Sequence, residues 1–181
     1  KQVDADAVQL YGSIGALHQG YLLGGFGQYG TDYALRAVIA TVGLGAFTSD
    51  QTIFAIAVTD RAGAPLQSAT AYVLHLRKPP PVNGGWSLTV YTTAGGLVPN
   101  RLQRYQFDQA SQLTRNADGS IDLYLQNTPP ATAAQQANWL PTPSSGGFEV
   151  IWRLLTPKPQ AIGPILSGTG WQPPAIPAAS G

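Results

Sequence analysis

Residues 148–155 read FEVIWRLL, and this segment decides the fold class of the chain. Its apolar side chains fall at every second position, at Phe148, Val150, Trp152 and Leu154. A period of two is the pattern of a β-strand with one buried face. Glu149 and Arg153 occupy the opposite face, where we expect a surface ion pair or a cross-strand partner rather than a catalytic carboxylate.

The same alternation recurs earlier in the chain. In residues 120–126, SIDLYLQ, the side chains predicted to point inward are Ile121, Leu123 and Leu125. Further strands are predicted at residues 52–59, 69–76 and 86–92, with a proline-rich loop at residues 77–85. Short strands separated by turn signals predict a mainly β chain that folds as a jelly-roll-like antiparallel β-sandwich.

Residues 1–23 predict an amphipathic helix. Apolar residues alternate spacings of four and three at Val3, Ala7, Leu10, Ile14, Leu17 and Tyr21. Three glycines within this stretch each weaken a helix by up to about 1 kcal/mol relative to alanine. The helix therefore needs a surface to pack on, either its own domain or a neighbouring subunit. In the second interpretation the assembly residues are Val3, Leu10, Ile14, Leu17 and Tyr21.

A second helix is predicted after the glycine-rich residues 24–30. Thr31 is the predicted N-cap, and Asp32 in the first turn suits the helix dipole. Helical spacing follows at Leu35, Val38, Ile39 and Val42. Gly43 and Gly45 are predicted to end this helix.

The C-terminal residues 156–181 contain six prolines, at positions 157, 159, 164, 173, 174 and 177. Strands in a sheet do not tolerate this density of proline, because proline lacks the backbone N–H. We expect an extended tail that is ordered by its own domain or by a neighbouring molecule. The chain then divides into a helix at 1–23, a β-sandwich domain at 24–155 and a tail at 156–181.

The composition excludes several classes of function. Charged residues make up 10% of the 181 residues, compared with about 25% in an average soluble domain. Ten basic and nine acidic residues give a net charge of +1 without a cationic run, so nucleic-acid binding is not expected. Cysteine is absent, which excludes disulfides and thiolate metal sites. No apolar stretch approaches the roughly 20 residues that span a bilayer.

Low charge and a sequence without methionine favour an exported protein, in the cell envelope or outside the cell, whose signal peptide has been removed. We state this localisation as an expectation.

Six short motifs occur in a characteristic order. They are GTDYALRA at 30–37 followed by GLGA at 43–46, WSLTVY at 86–91, RY at 104–105, NADGS at 116–120, NWLP at 138–141 and GWQPP at 170–174. In this order they resemble the domain of unknown function 1214 family over residues 24–175. The resemblance implies a jelly-roll-like β-sandwich of bacterial origin in an envelope or secreted setting. It supplies no catalytic residues, and residues 128–130 (TPP) depart from the family pattern.

Titratable residues do not form a recognisable catalytic pattern. Asp118 and Asp122 are the closest pair of carboxylates in sequence, but Asp118 sits in the turn Asn116–Gly119, whose Asp-Gly is a hairpin signal, and turn chemistry explains them without catalysis. Weak candidates for calcium ligands are the alternate oxygens of Asn116, Asp118 and Ser120, but no distal glutamate follows. His18 and His75 lack the spacing of a zinc site. We therefore expect no catalytic residue, no metal and no cofactor.

Aromatic and cationic residues are the weak candidates for ligand binding. Trp139 and Trp171 lie in segments predicted as loops, where each is interpreted as a ligand platform or as a clamp on the tail. Arg36 and Arg104 each lie near a tyrosine, the latter next to Tyr105, and could anchor a carboxylate or cap carbonyls inside the fold.

Three functions remain open. The favoured hypothesis is a non-catalytic exported protein, structural or self-assembling, whose termini pack on neighbouring subunits as a homo-oligomer or polymer. The second is a β-sandwich module that binds a glycan or a lipid. The third is a hydrolase with an unrecognised site, which requires convergent carboxylates in a cleft.

Overall fold

A computed structural model describes residues 17–18, 21–24, 27–42 and 46–179. The strands are β1 (Leu17–His18), β2 (Tyr21–Gly24), β3 (Thr52–Ala57), β4 (Tyr72–Leu76), β5 (Val82–Thr92), β6 (Gln106–Asp108), β7 (Ile121–Gln126), β8 (Trp139–Pro141) and β9 (Phe148–Pro157). The helices are α1 (Tyr33–Val42), α2 (Ala133–Ala137) and α3 (Pro159–Leu166).

The strands form two sheets. The larger sheet has the order β1-β2-β3-β9-β5-β6, and the smaller has the order β4-β7-β8. Strand β9 lies in the middle of the larger sheet, where Trp152 pairs with Ala55 on one side and with Leu88 on the other. The alternation predicted from the sequence is confirmed, because the inward residues of β4, β7 and β9 are buried.

Both sheets contribute to one hydrophobic core. Leu74 and Leu123 from the smaller sheet belong to the same buried cluster as Leu88 and Trp152 from the larger one. The chain is therefore mainly β, with few helices and two sheets that share a core.

The expectation of a purely antiparallel sandwich is wrong for one pair of strands. Strands β7 and β8 run parallel, with Tyr124 opposite Trp139. Parallel neighbours need a crossover of about a dozen residues or more, and residues 127–138 supply it. This crossover contains α2, which Thr132 and Gln135 begin with a reciprocal capping box.

Part of the predicted loop at residues 77–85 is also β-structure. Strand β5 begins at Val82, which pairs with Pro157, and the register shifts between Val82 and Gly85. Gly85 has φ +115°, and a Cβ atom at this position would lie 2.7 Å from the Gln109 side chain. Glycine at position 85 therefore accommodates this shift in register, which the proline-rich sequence of residues 77–85 does not predict.

The end of the predicted N-terminal helix is wrong, because β1 and β2 occupy residues 17–18 and 21–24. Pairing of β2 with β3 supplies long-range hydrogen bonds that a glycine-containing helix would lack. Tyr21, predicted as an assembly residue, is instead fully buried in the core of its own domain. Leu17, another predicted assembly residue, lies in β1 rather than in a helix. The other assembly positions, Val3, Leu10 and Ile14, lie outside the described residues.

The second predicted helix is confirmed as α1. Its cap is Asp32 rather than Thr31, because the Asp32 carboxylate accepts a hydrogen bond of 2.8 Å from the Leu35 backbone N–H. A carboxylate at this position also interacts favourably with the helix dipole.

The C-terminal segment is not an extended tail. Residues 159–166 form α3, in which Pro159 occupies the first turn, where its missing N–H costs no hydrogen bond. The following residues pack on their own domain, with Ile176 buried and its carbonyl accepting from the Arg61 N–H at 2.9 Å. Tyr21 also holds this segment, since its hydroxyl donates to the Pro174 carbonyl at 3.0 Å.

We expect Tyr21→Phe to destabilise the fold, because it leaves the Pro174 carbonyl without its donor inside the protein. The loss should be about 1–2 kcal/mol, measured by urea unfolding at neutral pH. Tyr33→Phe is the matched control, since Tyr33 is 74% exposed. Equal stability of the two variants would show that the Tyr21 hydrogen bond does not anchor the C-terminal segment.

Candidate functional site

A groove of about 550 Å³ lies between β4 and the C-terminal residues 171–177. One wall consists of Val73, His75 and Arg77, which alternate outward along and just beyond β4. Trp171 and Pro174 contribute to the opposite wall. Its volume falls in the range of about 300–1,000 Å³ that is usual for small-molecule sites.

Trp171 is fixed in this wall by two contacts. Its indole N–H donates to the Lys78 carbonyl at 3.0 Å, and its ring meets Trp152 edge-on with centroids 6.0 Å apart. Trp171 is half-buried, whereas the other three tryptophans are buried, namely Trp86, Trp139 and Trp152. Trp171 therefore serves as the predicted clamp on the C-terminal segment and also presents an aromatic surface to the groove.

His75 is oriented by a carboxylate. Its Nδ1 lies 2.7 Å from Oδ1 of Asp122, directly across the β4–β7 pair. The other Asp122 oxygen accepts from the Asn116 side-chain amide at 3.1 Å. No sequence pattern reveals this pair, because only the register of β4 against β7 brings the two residues together. Among the described residues, Nε2 of His75 has no partner, and this nitrogen is left for a ligand.

Cations surround the groove. Arg61, Arg77 and Lys78 line it, all three residues are exposed, and none forms a salt bridge with another described residue. No aspartate or glutamate is found among the described residues that line the groove. The groove therefore presents a positive potential to solvent.

The candidate calcium ligands form a hydrogen-bonded turn. Oδ1 of Asp118 accepts from the Ser120 N–H at 3.0 Å and from the Ser120 hydroxyl at 2.6 Å. Asn116 directs its side-chain amide, a donor group, towards the Ser120 hydroxyl at 2.9 Å. The hydrogen bonds from Ser120 hold the pKa of Asp118 below its usual range. Across the described residues, no group of three or more His, Asp and Glu side chains is arranged to hold a metal.

Trp139 and Arg104 have structural contacts. Trp139 lies in β8 rather than in a loop, it is buried, and its indole N–H donates to the Gln126 carbonyl at 2.8 Å. The Arg104 guanidinium donates at 2.8 Å to the carbonyls of Gln136 and Trp139. Arg104 thus caps carbonyls at the end of α2, and the buried Trp139 ring offers little surface to a ligand.

Asn138, the first residue of the NWLP motif, joins three segments. Its side chain bonds both backbone groups of Thr114 at 2.8 Å and donates to the Asp122 carbonyl at 2.9 Å. Together, the Asn138 and Trp139 side chains hydrogen-bond four backbone groups of other segments. The NWLP motif therefore has a structural role.

Two further candidates lie elsewhere. Arg36 is exposed on α1 and does not line the groove. Tyr105 lines a separate, shallower concavity beside β6 together with Tyr91, Leu97 and Leu102.

Of the two alternatives expected for Glu149 and Arg153, an ion pair between them is not formed, and Arg153 has partners across the strand pair. Arg153 instead donates to the Tyr91 hydroxyl at 2.7 Å and lies over the Tyr91 ring at 5.5 Å. Glu149 is half-buried, and burial raises the pKa of its carboxyl. Tyr91 lies on the neighbouring strand β5 opposite Glu149, so Arg153 has a cross-strand aromatic partner.

Comparisons with known proteins identify a family and a fold. A family model described as a protein of unknown function (DUF1214) matches residues 51–159, more than half of the chain. The first and last of the six sequence motifs, at 30–46 and 170–174, lie outside this match. No curated protein matches the sequence. In the described part of the chain, the helices are too short or too polar to cross a membrane.

Two solved structures are similar to the chain. The VPA0106 protein from Vibrio parahaemolyticus has a TM-score of 0.65 and 21% identity, over 81% of this chain and 35% of that one. An uncharacterized protein from Burkholderia cenocepacia has a TM-score of 0.48 and 17% identity, over 82% and 33% of the two chains. The first likeness supports the fold alone. The chain spans about a third of the length of these solved structures.

We expect Asp118→Asn to lower the melting temperature at pH 7. A carboxylate whose pKa is lowered in the folded state stabilises that state above its unfolded pKa, and this contribution is lost as the pH falls through the folded pKa. The difference between wild type and variant should therefore narrow on acidification, which thermal unfolding from neutral to strongly acidic pH measures. A difference that stays constant with pH would exclude the charge of Asp118 as its source.

Proposed function

The chain belongs to the DUF1214 family, whose description records no function, and we propose that it is a ligand-binding β-sandwich module. The binding site is the groove between β4 and residues 171–177. The observation that carries this proposal is the position of Trp171, the single tryptophan that is not buried, in the wall of that groove. A partly exposed indole beside apolar side chains offers a surface to a sugar ring or an alkyl chain.

Pre-organisation of the groove supports the proposal. Trp171 is held by the Lys78 carbonyl and by the core residue Trp152, and His75 is held by Asp122. Side chains fixed before a ligand arrives lose little entropy when it binds. These contacts favour a site that forms as the domain folds.

Hydrolysis is less well supported than binding. A hydrolase that uses His75 as a base needs a nucleophile or a positioned water and a stabiliser for the oxyanion. Of the described residues that line the groove, none is a serine, a threonine, an aspartate or a glutamate. The oriented imidazole therefore serves recognition in this proposal.

Self-assembly is a second candidate. That hypothesis has both termini packing on neighbouring subunits. For the C-terminus it loses support, because residues 159–179 pack on their own domain. Exposed apolar side chains still favour an interface, since Leu97 and Leu102 are 48% and 50% exposed and both border the concavity beside β6. Export to the envelope or outside the cell and a jelly-roll-like connectivity belong to this proposal as well.

Tryptophan fluorescence tests the binding proposal. We expect the emission of the native chain to shift when small alkyl carboxylates, alkyl alcohols or monosaccharide glycosides enter the groove, because Trp171 becomes desolvated. Trp171→Phe should abolish the shift while the other three tryptophans keep their emission. Val73→Phe should weaken binding in calorimetry by narrowing the groove.

Val58→Phe is the matched control for the groove, because Val58 is 56% exposed and does not line it. If Val73→Phe and Val58→Phe both bind the probes as the wild type does, the groove is not the binding site. If no probe changes the emission or releases heat, the binding proposal fails.

Light scattering coupled to size exclusion tests self-assembly. We expect a mass above the 19.0 kDa of one chain, and dissociation when residues 1–16 are removed or when Leu97 and Leu102 are both replaced by serine. A monomer of the unaltered chain would remove this second candidate.

A further inference from the structure

We infer that the ligand of this groove is an anion, with a carboxylate or phosphate attached to an apolar or sugar face. This inference rests on the proposed function and names the class of ligand. Its basis is the meeting of exposed cations, an oriented histidine and an apolar wall in one groove.

The cations are concentrated beyond what the composition leads one to expect. The chain has ten lysines and arginines among 181 residues, yet three of them, Arg61, Arg77 and Lys78, line one groove. None of the three is paired with a carboxylate of the described residues. Like charges that share a groove repel one another, and a bound anion removes this repulsion.

The carboxylate that contacts His75 does not neutralise the groove. Asp122 is 29% exposed and does not line it. Both of its oxygens are engaged, one with His75 at 2.7 Å and one with Asn116 at 3.1 Å. Its negative charge is therefore directed at the histidine, which it holds in one orientation.

His75 adds a directional contact. With Nδ1 directed at Asp122, Nε2 is the ring atom left for a ligand. In the imidazolium form both nitrogens donate, so an anion at Nε2 completes a row of carboxylate, imidazolium and anion. Guanidinium groups at Arg61 and Arg77 supply the flat, two-pronged donors that carboxylates and phosphates prefer.

The other lining residues specify what the anion is attached to. Val73, Leu76 and Pro173 are apolar, and Trp171 offers a ring surface. Two sources share this chemistry, a sugar acid with its C–H face on the indole and an alkyl acid with its chain along the aliphatic side chains. Both present a charged head next to an apolar face.

Matched pairs of probes test the charge and distinguish the two sources. Octanoate is compared with octanol, and methyl glucuronide with methyl glucoside, each titrated into the full chain by calorimetry. In at least one pair we expect the acid to bind about tenfold more tightly than its neutral partner, as two exposed ion pairs would give. The pair that shows this preference identifies the source. Raising NaCl to about 1 M, where the screening length is about 3 Å, should remove the preference.

Variants locate the charge effect. Replacing Arg77 and Lys78 together with glutamine should weaken binding of the acid about tenfold and leave the neutral probe unchanged. The control replaces Arg101 and Lys158 with glutamine, because both are exposed and neither lines the groove. Comparable melting temperatures of the two double variants would confirm that each is folded.

The outcomes separate this inference from the proposed function. If acid and neutral probes bind equally well, or if the control variant weakens binding of the acid as much as the groove variant does, the anion inference is wrong and the binding module stands. If neither member of either pair binds, both the inference and the proposed function fail.

Discussion

The burial of Trp152 in the centre of the larger sheet is the interaction on which the rest of the structure depends. This side chain is 0% exposed and lies between Ala55 and Leu88 on the neighbouring strands. Its ring also contacts Trp86, with centroids 5.4 Å apart, and Trp171 at 6.0 Å. Removing a buried aromatic of this size typically costs about 3–5 kcal/mol. One residue therefore ties three strands and the C-terminal segment to a single core.

This arrangement couples the groove to the core. Trp171 forms part of the groove wall and contacts Trp152 with its edge, while Tyr21 holds the adjacent Pro174 from the opposite end of the chain. Burial raises the pKa of the Tyr21 hydroxyl far above its ordinary range, so it remains a neutral donor to that carbonyl. Contacts with the core residues Trp152 and Tyr21 therefore stabilise this wall of the candidate site.

The sequence predicts those features that are encoded within one segment. Alternation identified β4, β7 and β9, and helical spacing identified α1, because each pattern needs only neighbouring residues. Features that depend on pairing between distant segments were missed or misjudged. The contact between His75 and Asp122 requires a register, and the parallel placement of Trp139 requires knowledge of the crossover. Family resemblance supplied the order of segments but no chemistry.

Proline density, which predicted a tail, instead accounts for the groove. The C-terminal segment runs antiparallel to β4 where Ala178 bridges Tyr72 and the Ala179 N–H donates to the Ala71 carbonyl at 2.7 Å. Pro173, Pro174 and Pro177 lack the N–H groups with which the segment would continue as a further strand of the smaller sheet. The segment therefore departs from the edge of β4 while Ile176 anchors it in the core. The space that opens between them is the groove, so the residues that prevent strand pairing also create the candidate binding site.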